Sequence, residues 1–528
     1  MATEHDIKAL IKAGKPRDAV QVALEAAAAG GVADRVLALG GQAAYVIGAN
    51  SEALELFAQL DVRTQLDGTQ LAMMGHAADL LGVHAAALSA YRRALGLNDR
   101  DLAVHFNLGS LHLRRHEWSD AIRHLECATD LKPDWAAAWG NLGCALLGTE
   151  RYGRCLEFFR ACMVRFPAER AFHAGLAETL MKMGEHGAAE SEFRQMLKHR
   201  ASDPEAWAGL IAAVVQDNRF EEARIMIAEA QGKSTGSPEL DEIKASLALE
   251  AGDAPAAIRQ YEEVLNASPR HRRARLNLIE AYLAAGQAEK ALKFCDDILA
   301  AAPGDADMLA YKALVLIDLG RVEESARFLP PDLVMGYRPV CPDGFASMAD
   351  FNKAMVDHIL GHPSLTPSPF GHATVKGLHT GSLVCEPWGP MKHFTGMIAE
   401  GAKAYKKRNG PSGHPFFHRW NDDYSLTVWA VVMEEGSHQM PHIHPSGYLS
   451  GVYYPLLPDQ VRDPGSTDGM IEFFDAPEQF NLRHPAPAQI FPPQEGVMFL
   501  FPSAYFHRTI PYTGGGTRIS VAFDLVPR

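Results

Sequence analysis

The chain has 528 residues, more than a single hydrophobic core usually serves, so about three to four domains, or a repeat array joined to a globular unit, are expected. Apolar residues make up 47% and charged residues 22%, a globular composition that excludes fibrous and disordered classes. The 64 acidic against 50 basic side chains leave a net charge of −14, which would repel a phosphate backbone, and no stretch concentrates the basic residues, so nucleic acid is not expected as a partner.

The start, Met1-Ala-Thr-Glu-His-Asp-Ile-Lys8, lacks a basic segment followed by an apolar one. No stretch reaches the roughly 18 apolar residues that span a bilayer, so a cytoplasmic location without membrane attachment is expected. Cys127, Cys144, Cys155, Cys162, Cys295, Cys341 and Cys385 are odd in number and form no C-x-x-C. Reduced thiols in helical packing positions are expected rather than a disulfide framework or a thiolate zinc site.

From Ala19 onward a small residue recurs every 34 positions: Ala53, Ala87, Ala121, Cys155, Ala189, Ala223, Ala257, Ala291 and Ser325. One helical turn after each stands a partner that is usually larger, as in Phe57, Tyr91, Leu125, Phe159, Phe193 and Tyr261. Pro133, Pro167, Pro269 and Pro303 close units where a helix must end. Gly41, Gly75, Gly109 and Gly143 repeat at the same period. Within one unit Trp139, Leu142, Gly143, Phe159 and Pro167 carry a pattern that resembles the tetratricopeptide repeat. The resemblance implies about ten antiparallel helix pairs over 1–330, stacked as a right-handed superhelical solenoid whose concave face binds peptides or partner proteins. The aromatic and Leu positions read as packing core, and no repeat residue stands out as a binding residue.

Beyond Leu329 the period fails, and the breakers of Pro330-Pro331-Asp332 and Gly336–Gly344 predict a linker over 331–345. Helices are expected at Met348–Leu360 and Met391–Lys407, after which Tyr424–Met433 opens a run of strands. Further strands are expected at Leu449–Tyr454, Met470–Phe474, Val497–Phe501, His507–Ile510 and Arg518–Leu525. Many short strands separated by Gly, Pro and Asp predict a jelly roll over 346–528. The fold class is therefore α + β in two domains: an all-α solenoid, then a double-stranded β-helix with flanking helices.

Twelve of the 23 histidines fall after Phe345. In Pro441-His-Ile-His444 two imidazoles stand two residues apart beside a strand, a spacing that turns both to one face, and His507 follows near a strand start. Arg518-Ile-Ser520 sets a guanidinium and a hydroxyl side by side on the last strand, a pair suited to a buried carboxylate. His438 reads as a solvated loop residue, Trp388, Trp420 and Trp429 as core or rim aromatics, and Tyr448 and Tyr505 as candidates for a substrate mouth.

His442-Ile-His444, Ser450-Gly-Val-Tyr-Tyr454, Phe501-Pro-Ser-Ala-Tyr-Phe-His507 and Arg518-Ile-Ser520, in that order, resemble the iron(II)- and 2-oxoglutarate-dependent oxygenases of the prolyl-hydroxylase-like superfamily. The resemblance covers 423–528. It implies that His442 and His507 bind Fe(II), that 2-oxoglutarate chelates the metal, and that Arg518, Ser520 and Tyr454 hold the far carboxylate. His442, His507 and Arg518 are then the catalytic set. One position departs from the family pattern, since the usual carboxylate ligand two residues after the first His is here His444. The third ligand is thus His444, a carboxylate from Glu472 or Asp475, or water, and a site without metal stays open as well.

The expected function is a 2-oxoglutarate-dependent dioxygenase hydroxylating a protein or peptide recruited by the solenoid, since tethering raises effective concentration. The alternatives are an interaction scaffold with an idle jelly roll and a three-His iron dioxygenase that uses no oxo acid.

Overall fold

Ten antiparallel helix pairs run from Glu4–Lys12 to Val322–Phe328 in the computed structural model of the chain, which describes residues 3–233, 237–385, 387–463 and 465–528. All ten small residues of the 34-residue series are buried, nine of them completely. A methyl group built on Gly75 would lie 2.8 Å from the Tyr91 ring, and one on Gly175 would lie 2.3 Å from Phe159. In these units the larger partner of the small residue therefore packs on bare backbone of a neighbouring helix, which is why the period contains glycine as well as alanine.

A second 34-residue series lies in the turns between paired helices. Gly14, Gly48, Gly82, His116, Glu150, Gly184, Asn218, Gly252, Gly286 and Gly320 all have positive φ. Glycine is the residue that adopts this left-handed conformation without steric cost, so His116, Glu150 and Asn218 are departures from the turn's own preference.

The chain divides into two compact units, Met1–Ala145 and Leu146–Arg528. The first is built on a helical core that includes Leu37, Leu56, Phe57, Tyr91 and Leu108. The second holds the later repeats together with twelve strands, which are β1 (Met335–Tyr337), β2 (Thr366–Pro367), β3 (Thr374–Val375), β4 (Leu378–His379), β5 (Tyr424–Met433), β6 (His438–His442), β7 (Leu449–Leu456), β8 (Ile471–Phe473), β9 (Gln489–Phe491), β10 (Met498–Pro502), β11 (His507–Thr509) and β12 (Arg518–Pro527). The helices Met348–Leu360 and Met391–Asn409 precede β5.

Two antiparallel sheets form a jelly roll, one of seven strands in the order β1-β10-β7-β12-β5-β4-β2, the other of five in the order β3-β6-β11-β8-β9. Strand alternation sorts the residues of the larger sheet. Val428, Ala430, Val432, Tyr453, Leu500, Val521 and Phe523 pack on the two helices. Val431, Met433, Val452, Tyr454, Phe499 and Phe501 turn inward with Ile471 and Phe473 of the smaller sheet.

Within the stretch expected as a linker, β1 already pairs in register with β10, Met335 opposite Leu500. His438 opens β6 rather than sitting in a solvated loop. Its His-Gln-Met-Pro-His sequence carries no run of branched or aromatic residues to announce a strand. Hydrogen bonds and an ion pair help to lock the late repeats onto the jelly roll. Phe370 donates its backbone N–H to the Lys182 carbonyl at 2.8 Å, Ser382 donates to the Thr149 carbonyl at 2.9 Å, and the Arg483 guanidinium reaches Asp318. A methyl group on Gly381 would lie 2.4 Å from the Thr149 oxygen, so the close approach at Thr149 requires that glycine.

Candidate active site

His442 ends β6 and His507 opens β11, and the register places the two opposite each other. Their ring centroids are 4.3 Å apart, while His444, two residues past His442, lies 5.2 Å from one and 5.0 Å from the other. One nitrogen from each ring falls within 4.8 Å of the other two. The opposite nitrogens are engaged: His442 Nδ1 donates to the Met440 carbonyl at 2.8 Å, His507 Nδ1 to the Tyr505 carbonyl at 3.0 Å, and His444 Nδ1 to Asp524 Oδ1 at 2.7 Å. With every Nδ1 proton held by an acceptor, each neutral ring keeps its lone pair on Nε2, the tautomer that metal-binding histidines adopt. Burial pushes His442 down to about 3 and His507 well below its ordinary value, each further lowered by its neighbouring imidazoles. Both rings are therefore neutral donors at physiological pH.

Asp524 is a site residue that the motif search passed over. It lies six residues after Arg518 on the inward face of β12, the same alternation that carries Ser520, and that parity was the available signal. Ser450 donates to Asp524 Oδ1 at 2.6 Å and stands 2.8 Å from Ser503 Oγ. The glycine of the Ser450-Gly-Val motif has a separate reason, since a methyl on Gly451 would lie 2.2 Å from the Phe523 ring.

Arg518 is 1% exposed and has no carboxylate partner among the described residues. Its Nε donates to the Gly469 carbonyl at 3.2 Å, one terminal nitrogen stands 3.4 Å from Ser520 Oγ, and the guanidinium sits 5.1 Å over the Tyr454 ring. The Tyr454 hydroxyl is buried outside hydrogen-bond geometry with any described group. A buried cation without a counter-anion, beside an unsatisfied phenol and a serine hydroxyl, is a cradle for a carboxylate. Glu472 and Asp475 are not brought to the histidines, because both face Arg508, at 2.6 and 3.0 Å. Both carboxylates weighed as a third ligand are thus engaged elsewhere.

A cleft of about 410 Å³ opens beside His442 and His444, a size that suits a small-molecule or side-chain site. Trp429, Gln439, Thr374 and Asp524 line it from the jelly roll, and Gly148 and Glu150 line it from a repeat turn. Trp429, read as a core or rim aromatic, packs 5.3 Å from His444. Tyr448 and Tyr505 do not line a mouth; both are buried, with hydroxyls donated to the Asn421 and Pro330 carbonyls.

The family described as "Putative 2OG-Fe(II) oxygenase" matches residues 427–524, and tetratricopeptide repeat families match 106–167, 181–247 and 248–315. The chain is 25% identical over 251 residues to cellulose synthase operon protein C of Xanthomonas axonopodis pv. citri (strain 306), covering 44% of this chain and 17% of that protein. It is 30% identical over 79 residues to the heat shock protein sti1 homolog of Schizosaccharomyces pombe, covering 15% of this chain and 13% of that one. The chain thus spans less than a fifth of either relative. A tetratricopeptide repeat protein from Parabacteroides merdae superimposes with a TM-score of 0.41 at 15% identity, over 46% of this chain and 97% of that one. Among the described residues no helix is long and apolar enough to cross a membrane. The chain carries tetratricopeptide repeats followed, at 427–524, by a domain of that oxygenase family.

Proposed function

We propose that this protein is an iron(II)- and 2-oxoglutarate-dependent dioxygenase that hydroxylates a protein or peptide held by its repeats. The observation that carries the reading is the conjunction of three imidazoles with tied Nδ1 atoms and a buried guanidinium that has no counter-anion. His442, His444 and His507 would hold the metal through Nε2. Arg518, Ser520 and Tyr454 would hold the far carboxylate of 2-oxoglutarate. When bound, the iron and the oxo acid supply the oxidising power that inserts oxygen into a substrate C–H bond.

The rest of the work falls to the chain. His442 and His507 are fixed by backbone carbonyls, so neither ring needs to reorient to ligate. His444 contributes no negative charge of its own, but the Asp524 carboxylate behind it, 2.7 Å from Nδ1, fixes its ring orientation and places an anion next to the centre. Phe501 and Phe473, with ring centroids 4.8 and 5.8 Å from His507, keep water from that side of the centre. Arg518 supplies a fixed positive end that selects a dicarboxylate over a monocarboxylate. The cleft wall at Gly148 and Glu150 belongs to the repeats, so a segment bound along them is delivered directly to the centre.

Anaerobic titration with Fe(II) and then 2-oxoglutarate tests the reading through the visible charge-transfer band of the chelate. A band that is absent in both His507→Ala and Arg518→Ala supports it. Bound iron without a band would favour a three-His dioxygenase that needs no oxo acid, and no bound iron would favour a scaffold.

A further inference from the structure

The cleft holds a second group of metal-ligating side chains that the proposed reaction does not use. Glu150, His372 and His379 each offer a ligand atom, and these atoms lie within 4.8 Å of one another. They come from three separate segments: the turn after the repeat helix Ala136–Gly148, the loop before β3, and the end of β4. All three line the same cleft as His442 and His444.

Three observations say that this group is more than a chance meeting of polar residues. First, His379 is only 5% exposed and its Nδ1 has no hydrogen-bond partner among the described residues. A buried ring nitrogen left unpaired is destabilising, so its persistence calls for a missing partner. Its ring is fixed between His372, 4.7 Å away and perpendicular, and Trp429, 6.2 Å away and nearly parallel. Second, the Glu150 carboxylate offers a ligand atom to this group and forms no ion pair among the described residues. Third, Glu150 occupies a turn position where seven of the ten repeats have glycine, and it adopts φ 54° there. A side chain in that conformation carries a steric strain that glycine would avoid. The turn gains nothing from a glutamate; the cleft gains a carboxylate.

We propose that Glu150, His372 and His379 form a second site, separate from the three-histidine centre, for a divalent transition-metal ion. Two imidazoles and one carboxylate suit zinc, iron, cobalt or nickel rather than calcium or magnesium, which prefer all-oxygen sets. Three protein ligands leave positions open toward the cleft, where a substrate carboxylate, thiolate or imidazole could bind.

The test is Co(II) titration of the full-length, chelator-stripped protein under anaerobic conditions, read by visible absorption and by metal analysis after desalting. Two equivalents are expected. Glu150→Gly should lose one of them while folding at least as well as the parent, because glycine is the residue the turn prefers. His379→Ala should lose the same equivalent, and His507→Ala the other. One equivalent in the parent, lost in His507→Ala and unchanged in Glu150→Gly, would overturn the second site. So would a single equivalent lost in both variants, which would mean one shared ion, or a second equivalent that survives Glu150→Gly and His379→Ala, which would mark adventitious surface binding.

Discussion

Asp524 Oδ1 lies 2.7 Å from His444 Nδ1, tying the last strand to the imidazole that stands where the resembling oxygenases place a carboxylate. The aspartate is buried, and its other close contact is the Ser450 hydroxyl. Removing its charge while keeping its shape should therefore weaken the metal rather than unfold the sheet. Asp524→Asn is expected to lower Fe(II) affinity by about 10- to 100-fold, with a melting temperature close to the parent's. Metal titration of the variant checks this, and unchanged affinity would remove Asp524 from the site.

Arg518 makes a prediction for stability as well. Because the guanidinium is buried without a counter-anion, Arg518→Met removes an uncompensated charge and fills the space with apolar volume. In the absence of 2-oxoglutarate the variant should match or exceed the parent's stability to within about 1 kcal/mol. On the proposed reading 2-oxoglutarate raises the parent's melting temperature, and that rise should be absent in the variant. Paired thermal melts with and without the oxo acid decide it, and a large loss in the ligand-free variant would show that Arg518 is a structural residue.

Gly381 tests the repeat wall. A methyl there would meet the Thr149 carbonyl at 2.4 Å and the Glu150 backbone at 3.1 Å. Gly381→Ala should cost about 1–3 kcal/mol through overpacking and lower turnover by moving that wall. Urea unfolding together with a succinate-release assay checks both, and an unaffected variant would show that the contact is dispensable.

Acid should destabilise both units through histidines away from the cleft. Burial holds His124 at about 3 and His362 at about 4, so in the folded chain both stay neutral where the unfolded chain, at about 6.5, takes up protons. Above pH 6.5 neither contributes to a pH dependence. As pH falls below it, the unfolded state binds more protons, and each group removes about 1.4 kcal/mol per pH unit until its folded value is reached. Chemical denaturation at pH 7, 6 and 5 measures this. His124→Phe should flatten the slope for the first unit and His362→Phe for the second, and a slope unchanged by either substitution would contradict it.

The solenoid was legible because one packing problem is solved ten times. Where a helix must approach another closely, only Ala, Ser or Cys fits, and 34-residue spacing exposes the rule at Ala19 through Ser325. The long strands β5, β7 and β12 were legible from branched and aromatic runs, and the triad from His442-Ile-His444 and His507. Asp524 was not, because a lone acid on a strand carries no local pattern and its role depends on Ser450 and His444, both more than 70 residues away. Glu150 was hidden for a related reason. Its meaning lies in the φ of a turn and in histidines more than 200 residues later, and neither can be read from local periodicity.

The docking of Ser382 on Thr149 and of Phe370 on Lys182 also bears on modularity. The repeat period ends near 330, and that is where a fragment would ordinarily be cut to isolate the chemistry. Such a cut would remove the Glu150 wall, expose the jelly-roll surface at Gly381 that is fitted against the Thr149 backbone, and leave the Phe370 and Ser382 amides without their acceptors. The repeats and the jelly roll are thus not interchangeable cassettes in this chain. The portion that must travel together begins near Leu146, and a transplant of the jelly roll onto another carrier would need to take the later repeats with it.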